Sequence, residues 1–216
     1  MQRGQFFVAI ETSLDRKTNI GPTLRCAVGL GCTAVIVVGN ISYGTHGAHG
    51  SQRHIQVIHF YTWDEVREYA LSRSCALYGV VSPLQATEST ISAISVDEIT
   101  FSANAVFMIG NRQSVLSATQ IRVADSLIYV NFPGGSRLGS LVTADLQLSI
   151  CLHQFAVSNG YEQVIIEEEK YCVPEKKVGK KAISESKVKG EMMSCDLYVD
   201  SESWTVRMFQ GCGDDY

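Results

Sequence analysis

Residues Ala34-Val35-Ile36-Val37-Val38 form an apolar run in which four β-branched side chains follow an alanine. A run without polar alternation has no side to give to water. It reads as a strand buried on both faces, the usual condition of a parallel sheet covered by helices. Phe6 to Glu11, Leu77 to Val81, Ala105 to Ile109 and Leu127 to Val130 are further short strand-like runs, and Ile55 to Tyr61 is a candidate. The segments between them carry helical signals. Asn19 to Gly31 places Ile20, Leu24, Ala27, Val28 and Leu30 at helical spacing. Asn19 sits where an N-cap belongs, Pro22 suits the first turn, and Gly31 is a natural stop. Thr62 followed by Glu65 is a capping box opening a helix through Val66, Tyr69, Ala70 and Leu71. Ser117 to Ala124 reads as a short helix and Leu146 to Ala156 as a longer one, with a Gly- and His-rich loop at 39–54 and a Gly-rich loop at 131–139. Strands alternating with helices imply an α/β fold with a mostly parallel sheet and helices on both faces.

The 216 residues suffice for one domain with an extension. Hydrophobic residues at 45% support a sizeable core and exclude a wholly disordered chain. The apolar runs are far shorter than the ~20 residues a membrane helix needs. The start, Met-Gln-Arg-Gly-Gln and then Phe6 to Ile10, resembles no secretory or transit segment, so an intracellular setting is expected, with cytoplasm and mitochondrion not separated. Residues 1–160 carry 10 basic and 10 acidic groups, whereas residues 161–216 carry 8 and 12. Lys17 is the sole lysine before Lys170, and seven follow from there. This shift puts a boundary near Gly160, with a C-terminal extension whose Lys176 to Lys189 stretch reads as an exposed arm. Val164 to Ile166 and part of Tyr198 to Phe209 are candidate strands within it.

The seven cysteines are widely spaced and make no CxxC, so a zinc ribbon and a thioredoxin-type motif are unsupported; buried reduced thiols are expected. His46, His49 and His54 share one loop with Arg53. Three imidazoles are a possible zinc set, but no cysteine joins them, and a loop rich in Gly, Ser, Gln and His equally suits solvent or RNA. No metal is expected. His59 and His153 sit among apolar residues and read as packed or helix-surface groups. Gly29-Leu30-Gly31-Cys32-Thr33-Ala34 matches a dinucleotide fingerprint in letters, but there a helix ends and a strand begins, the reverse of what phosphate binding needs.

Arg25 is the unusual group in an otherwise apolar helix. With Asn19, Ala27 and the strand Ala34 to Val38 it resembles the first motif of SpoU-type (TrmH-like) RNA ribose methyltransferases of the SPOUT superfamily. Phe107-Met108-Ile109-Gly110-Asn111-Arg112 running on to Leu116-Ser117 is similar to the second motif. Ile128-Tyr129-Val130 through Ser140-Leu141 to Ser149-Ile150 is similar to the third. The loop Tyr43-Gly44-Thr45-His46-Gly47 also resembles one found in some members. The likeness spans about residues 5–158.

The resemblance implies a deep trefoil knot in the C-terminal part of the core, S-adenosylmethionine as cofactor, and RNA (tRNA or rRNA) as substrate of 2′-O-ribose methylation. It implies a homodimer, with a heterodimer of related chains as the variant, built largely by the helix beginning at Asn19 and the final helix. No membrane partner is implied. By the same resemblance Arg25 and Asn19 are the catalytic candidates. Ile109, Gly110, Asn111, Val130, Phe132, Leu141, Val142 and Thr143 are the cofactor-binding candidates. The chain departs from the pattern where Arg112 replaces a glutamate. It also lacks the third-motif asparagine, whose place falls on Val142 counting from Ser140 or on Thr143 counting back from Ser149. The count that keeps the helix in register favours Thr143. An anion such as an RNA phosphate between Arg25 and Arg112, or Arg112 turned towards Asp145 or solvent, would relieve the added positive charge. These departures support a competing reading: a SPOUT protein of weakened or lost catalysis that acts as an RNA-binding or ribosome-assembly scaffold.

Overall fold

A computed structural model of the chain describes residues 4–12, 20–88, 92–110, 115–162, 196–197 and 206–208. Strands β1 (Phe6–Glu11), β2 (Ala34–Val38), β3 (Gln56–Phe60), β4 (Ala76–Val80), β5 (Ala93–Ser95), β6 (Ala105–Ile109) and β7 (Ser126–Tyr129) lie in the order β5-β7-β4-β6-β1-β2-β3, all parallel. Two short pieces of the C-terminal extension continue the sheet. Strand β9 (Val206–Met208) pairs parallel with β3, and β8 (Asp196–Leu197) pairs antiparallel with β9.

Period-2 alternation along the central strands divides the core. On one face Phe6, Val8 and Ile10 of β1 join Val35 and Val37 of β2. Helices α1 (Ile20–Gly29) and α6 (Ala144–Ser158) cover them with Leu24, Ala27, Leu148, Cys151, Leu152 and Phe155. On the other face Phe7, Ala9, Ile36 and Val38 meet Trp63, Val66 and Ala70 of α2 (Trp63–Ser72) and Val123 of α4 (Ala118–Val123). Ring packing concentrates on the first face. The Phe155 ring lies 5.2 Å from Phe6, 5.3 Å from Phe107 and 5.7 Å from Tyr161. Tyr161 also donates its hydroxyl to Gly4 O at 2.6 Å and packs against the same core cluster.

The capping box at Thr62 forms as expected: Glu65 N–H donates to Thr62 Oγ1 at 3.3 Å and Thr62 N–H to Glu65 Oε2 at 3.1 Å. Thr62→Ala should therefore destabilise the protein by about 1 kcal/mol in urea titration. Helix α1 stops at Gly29, two residues before the expected end. Gly31, at φ 77°, reverses the chain there, and Cys32 N–H closes the helix on Ala27 O at 2.9 Å. Hence the GxGxxA letters mark a helix exit into β2.

Two expectations need correction, and two short elements add to them. The 131–139 loop contains a helical turn, α5 (Ser136–Gly139), opened at Gly135 with φ 86°. The final helix runs longer, from Ala144 to Ser158, because Thr143 supplies the extended N-cap residue. Helix α3 (Pro83–Glu88) and strand β5 give too short a pattern to register as periodicity and were not anticipated.

Cys26, Cys32, Cys75 and Cys151 are free thiols, with Cys75 and Cys151 buried. Burial pushes the Cys151 thiol up to about 12, so it stays protonated and unreactive. Cys172, Cys195, Cys212, the candidate strand at 164–166 and the lysine arm lie outside the described residues.

Candidate active site

Three adjacent parallel strands, β7, β4 and β6, end at the same edge of the sheet. In open α/β sheets that edge is where ligands bind. The loops leaving these strands are tied to one another. After β4, α3 begins beneath Ser82; Leu84 N–H donates to Ser140 Oγ at 3.1 Å, joining it to the loop after β7. Gln85 holds the loop after β6 at both ends of its amide. Leu116 N–H donates to Gln85 Oε1 at 3.1 Å, and Gln85 Nε2 donates to Leu116 O at 3.2 Å.

The cofactor-binding candidates fall largely into this region. Ile109 and Val130, 1% and 5% exposed, sit at the ends of β6 and β7, and Gly110 follows Ile109, also buried. Gly110 admits a close main-chain approach: a Cβ there would stand 2.1 Å from Val115 O. Phe132 is half-buried, and its ring lies over Gly139, where a Cβ would come within 2.6 Å of Cδ2. Leu141 is 79% exposed, whereas Val142 and Thr143 are half-buried. Thr143 is the N-cap residue of α6 and makes no side-chain cap hydrogen bond. Asn19, Asn111 and Arg112 lie outside the described residues, and with them the proposed relation of Arg112 to Arg25.

Arg25 is exposed on α1, opposite the buried Leu24 and Ala27, and makes no hydrogen bond or ion pair with a described residue. Its neighbour Cys26 faces the start of α6: Ser149 Oγ donates to Cys26 Sγ at 2.8 Å, and Cys26 Sγ lies 3.8 Å from Asp145 O. The stretch of α1 that carries Arg25 thus abuts the end of α6 that carries Thr143.

The histidine loop packs on the first turn of α1. A Cβ on Gly21 would lie 1.9 Å from His46 O, and one on Gly47 would lie 3.3 Å from the Pro22 ring. His46, His49, Arg53 and His54 are all exposed. Among the described residues no group of three His, Cys, Asp or Glu side chains could hold a metal ion. His59 is core, 3% exposed, its Nε2–H donating to Gly39 O at 2.7 Å. His153 lies exposed on α6.

The residues that sequence reasoning missed are Gln85, Gln120 and Gln147. For Gln120 the spacing Ser117-x-x-Gln120 was an available capping-box signal; no signal marks Gln85 or Gln147, because their partners are main chain and carry no sequence identity.

Chemically, the strand ends offer apolar side chains and main-chain groups, with Gly110 leaving space at the backbone. Such a setting fits a neutral, flat heterocycle held among apolar residues and oriented by main-chain hydrogen bonds. Among the described residues no helix is long and apolar enough to cross a membrane.

No protein-family model matches the chain, and no curated protein matches it in sequence. Solved structures do match it in fold. The SpoU methyltransferase AviRb from Streptomyces viridochromogenes, in complex with the cofactor AdoMet, superposes with a TM-score of 0.60 at 17% identity, covering 76% of this chain and 61% of that one. An AdoMet-bound rRNA methyltransferase from Sinorhizobium meliloti gives 0.56 at 20% identity, over 72% of this chain and 57% of that one. The A. aeolicus TrmH/SpoU tRNA modifying enzyme gives 0.58 at 12% identity, over 73% and 76%. The chain thus spans about three-fifths of the length of the first two. Its architecture is that of SpoU-type RNA methyltransferases, in agreement with the motif resemblance.

Proposed function

We propose that this chain is an S-adenosylmethionine-dependent RNA 2′-O-ribose methyltransferase of SpoU type acting on tRNA or rRNA, knotted and dimeric as its motif resemblance implies. The observation that carries this reading is the convergence of the second- and third-motif segments at the ends of β6 and β7, on a SpoU-type fold. Ile109, Gly110, Val130, Phe132 and the 141–143 segment would hold the cofactor. When bound, it supplies an electrophilic methyl on a sulfonium. The chain's own task is orientation: a ribose hydroxyl is a weak nucleophile, and fixed geometry removes much of the barrier. Arg25, with a fork of donors and no described partner, is the group free to grip the phosphate or ribose of the target nucleotide. A guanidinium is a permanent cation and is not the base.

The RNA would approach over α1 and the histidine loop. From Arg16 to Thr62 the chain holds no Asp or Glu, while Arg25, Arg53, His46, His49 and His54 stand exposed there. Arg53→Gln should weaken RNA binding severalfold and lower the salt slope by about one. An unchanged slope in filter binding would remove this face from the RNA path. The dimer would use α1 and α6, where Leu146 and Val157 are 51% and 61% exposed. Light scattering showing only a 23.7 kDa species at micromolar concentration would reject it.

The scaffold reading draws support from the sequence departures, Arg112 at the glutamate position and no asparagine at 142 or 143. Calorimetry decides between the two. Saturable S-adenosylmethionine binding below about 100 µM, a range ordinary for enzyme ligands, together with tritiated methyl transfer to RNA supports the enzyme. A folded dimer that binds RNA but not the cofactor supports the scaffold.

A further inference from the structure

Three side-chain amides brace the main chain around the proposed cofactor crevice, each on a different helix. Gln120 of α4 donates through Nε2 to Ile109 O at 3.0 Å, while its Oε1 accepts from Ser117 N–H at 2.9 Å. Gln85 of α3 pairs with both main-chain groups of Leu116. Gln147 of α6 donates through Nε2 to Val142 O at 2.7 Å. The first two amides are used at both ends. Gln147 is not: it is fully buried, and its Oε1 has no partner among the described residues.

The asymmetry is informative. A buried amide oxygen without a donor is destabilising, because the group has left water and gained nothing. On the buried face of α6, between Ala144, Leu148 and Cys151, an apolar side chain of the same length would avoid that cost. What Gln147 provides in return is one hydrogen bond to the 140–143 loop, at the residue before Thr143. Groups retained at the expense of stability are characteristic of functional sites.

We infer that Gln147 is a positioning residue. It fixes the 140–143 loop against α6 so that the crevice is formed before its ligand arrives, while Gln85 does the same for the loop after β6. This inference rests on the proposed cofactor site and names two residues that set its geometry. Pre-formed loops spare the ligand the cost of ordering them, so the expected loss on removal is in affinity.

The test is Gln147→Met, which keeps length and helix propensity and removes both the donor and the unpartnered oxygen. Four quantities are measured on the full chain: melting temperature, S-adenosylmethionine affinity by calorimetry, amide exchange over residues 139–143, and the KM–kcat split with RNA. The expected result is an equal or raised melting temperature, faster exchange at 139–143, about tenfold weaker cofactor binding with a matching rise in KM, and kcat within about twofold. Gln85→Met should weaken the cofactor in the same direction and speed exchange at Leu116. A lower melting temperature with unchanged affinity would show a structural role only and overturn the inference. Unchanged exchange at 139–143 would overturn it as well. Exchange is read without cofactor: if the parent protein fails to bind S-adenosylmethionine, the proposed function falls, while the loop-holding role still stands or falls on exchange alone.

Discussion

Arg25→Ala should lower methyl transfer by ~10²–10³, the range seen when a single well-aimed transition-state donor is removed. The fold should hardly notice. Arg25 is exposed and makes no described hydrogen bond or ion pair, and substitutions at such positions usually stay within about 0.5 kcal/mol. Cofactor affinity should also persist, because the cofactor-binding candidates lie at the strand ends and in the loops after β6 and β7. Arg25→Lys is the sharper comparison. It keeps the charge but replaces the planar fork by a point cation, so it should recover nonspecific RNA binding and little of the rate. Single-turnover methyl transfer at saturating RNA checks both variants. A rate within threefold of the parent for Arg25→Ala would dismiss Arg25 from the reaction.

Gly110→Ala should be the most damaging substitution for the cofactor. The new Cβ would stand 2.1 Å from Val115 O and 2.9 Å from Leu116 N, both main-chain atoms with no rotamer to yield. Leu116 cannot move aside freely either. Its side chain fills the space over Gly79, where a Cβ would come within 2.6 Å, and its main chain is held by Gln85. The loop after β6 must therefore leave its place, at a cost of about 1–3 kcal/mol as for other overpacked sites. Cofactor affinity should fall by ~10², since the displaced loop adjoins the cofactor-binding candidates. Gly29→Ala is the control. Nothing lies within 4 Å of its Cβ position, and it ends α1 without a positive φ, so stability should be unchanged or raised by about 0.4–1 kcal/mol. Melting curves and calorimetry on both variants check the pair; equal affinity for Gly110→Ala and the parent would separate Gly110 from the site.

The competing scaffold reading bears on these two results differently. A chain that has given up transfer gains nothing from a precisely shaped cofactor crevice. The close main-chain packing at Gly110, the Phe132 ring over Gly139 and the amides of Gln85 and Gln147 would then be relics. Retained sensitivity of cofactor binding at Gly110, with no transfer by the parent, would describe a protein that binds the cofactor without using it.

Strand identity was legible in the residues themselves. The runs at Phe6 to Glu11, Ala34 to Val38 and Ala105 to Ile109 fall at their expected bounds, because β-branched and aromatic runs of that length have one low-energy arrangement inside a helix-covered sheet. The capping box at Thr62 and the helix exit at Gly31 were equally local, set by a side chain three residues away or by one φ. Ile109 ends β6, and Gly110 and Val130 follow directly on β6 and β7, since a strand's end is where its apolar run stops. Other features depended on residues far apart in sequence. The order β7-β4-β6 joins strands separated by some 20 to 50 positions, and it alone decides that the three loops meet. The hydrogen bonds of Gln85 to Leu116 and of Ser149 to Cys26 span 31 and 123 positions. Hydrophobic periodicity reports which side of an element is buried, because burial acts on each side chain separately. It does not report which element does the burying, or which main-chain group a buried amide will find. Those are settled only when the sheet is assembled and each buried polar group must take a partner from what the fold has brought near.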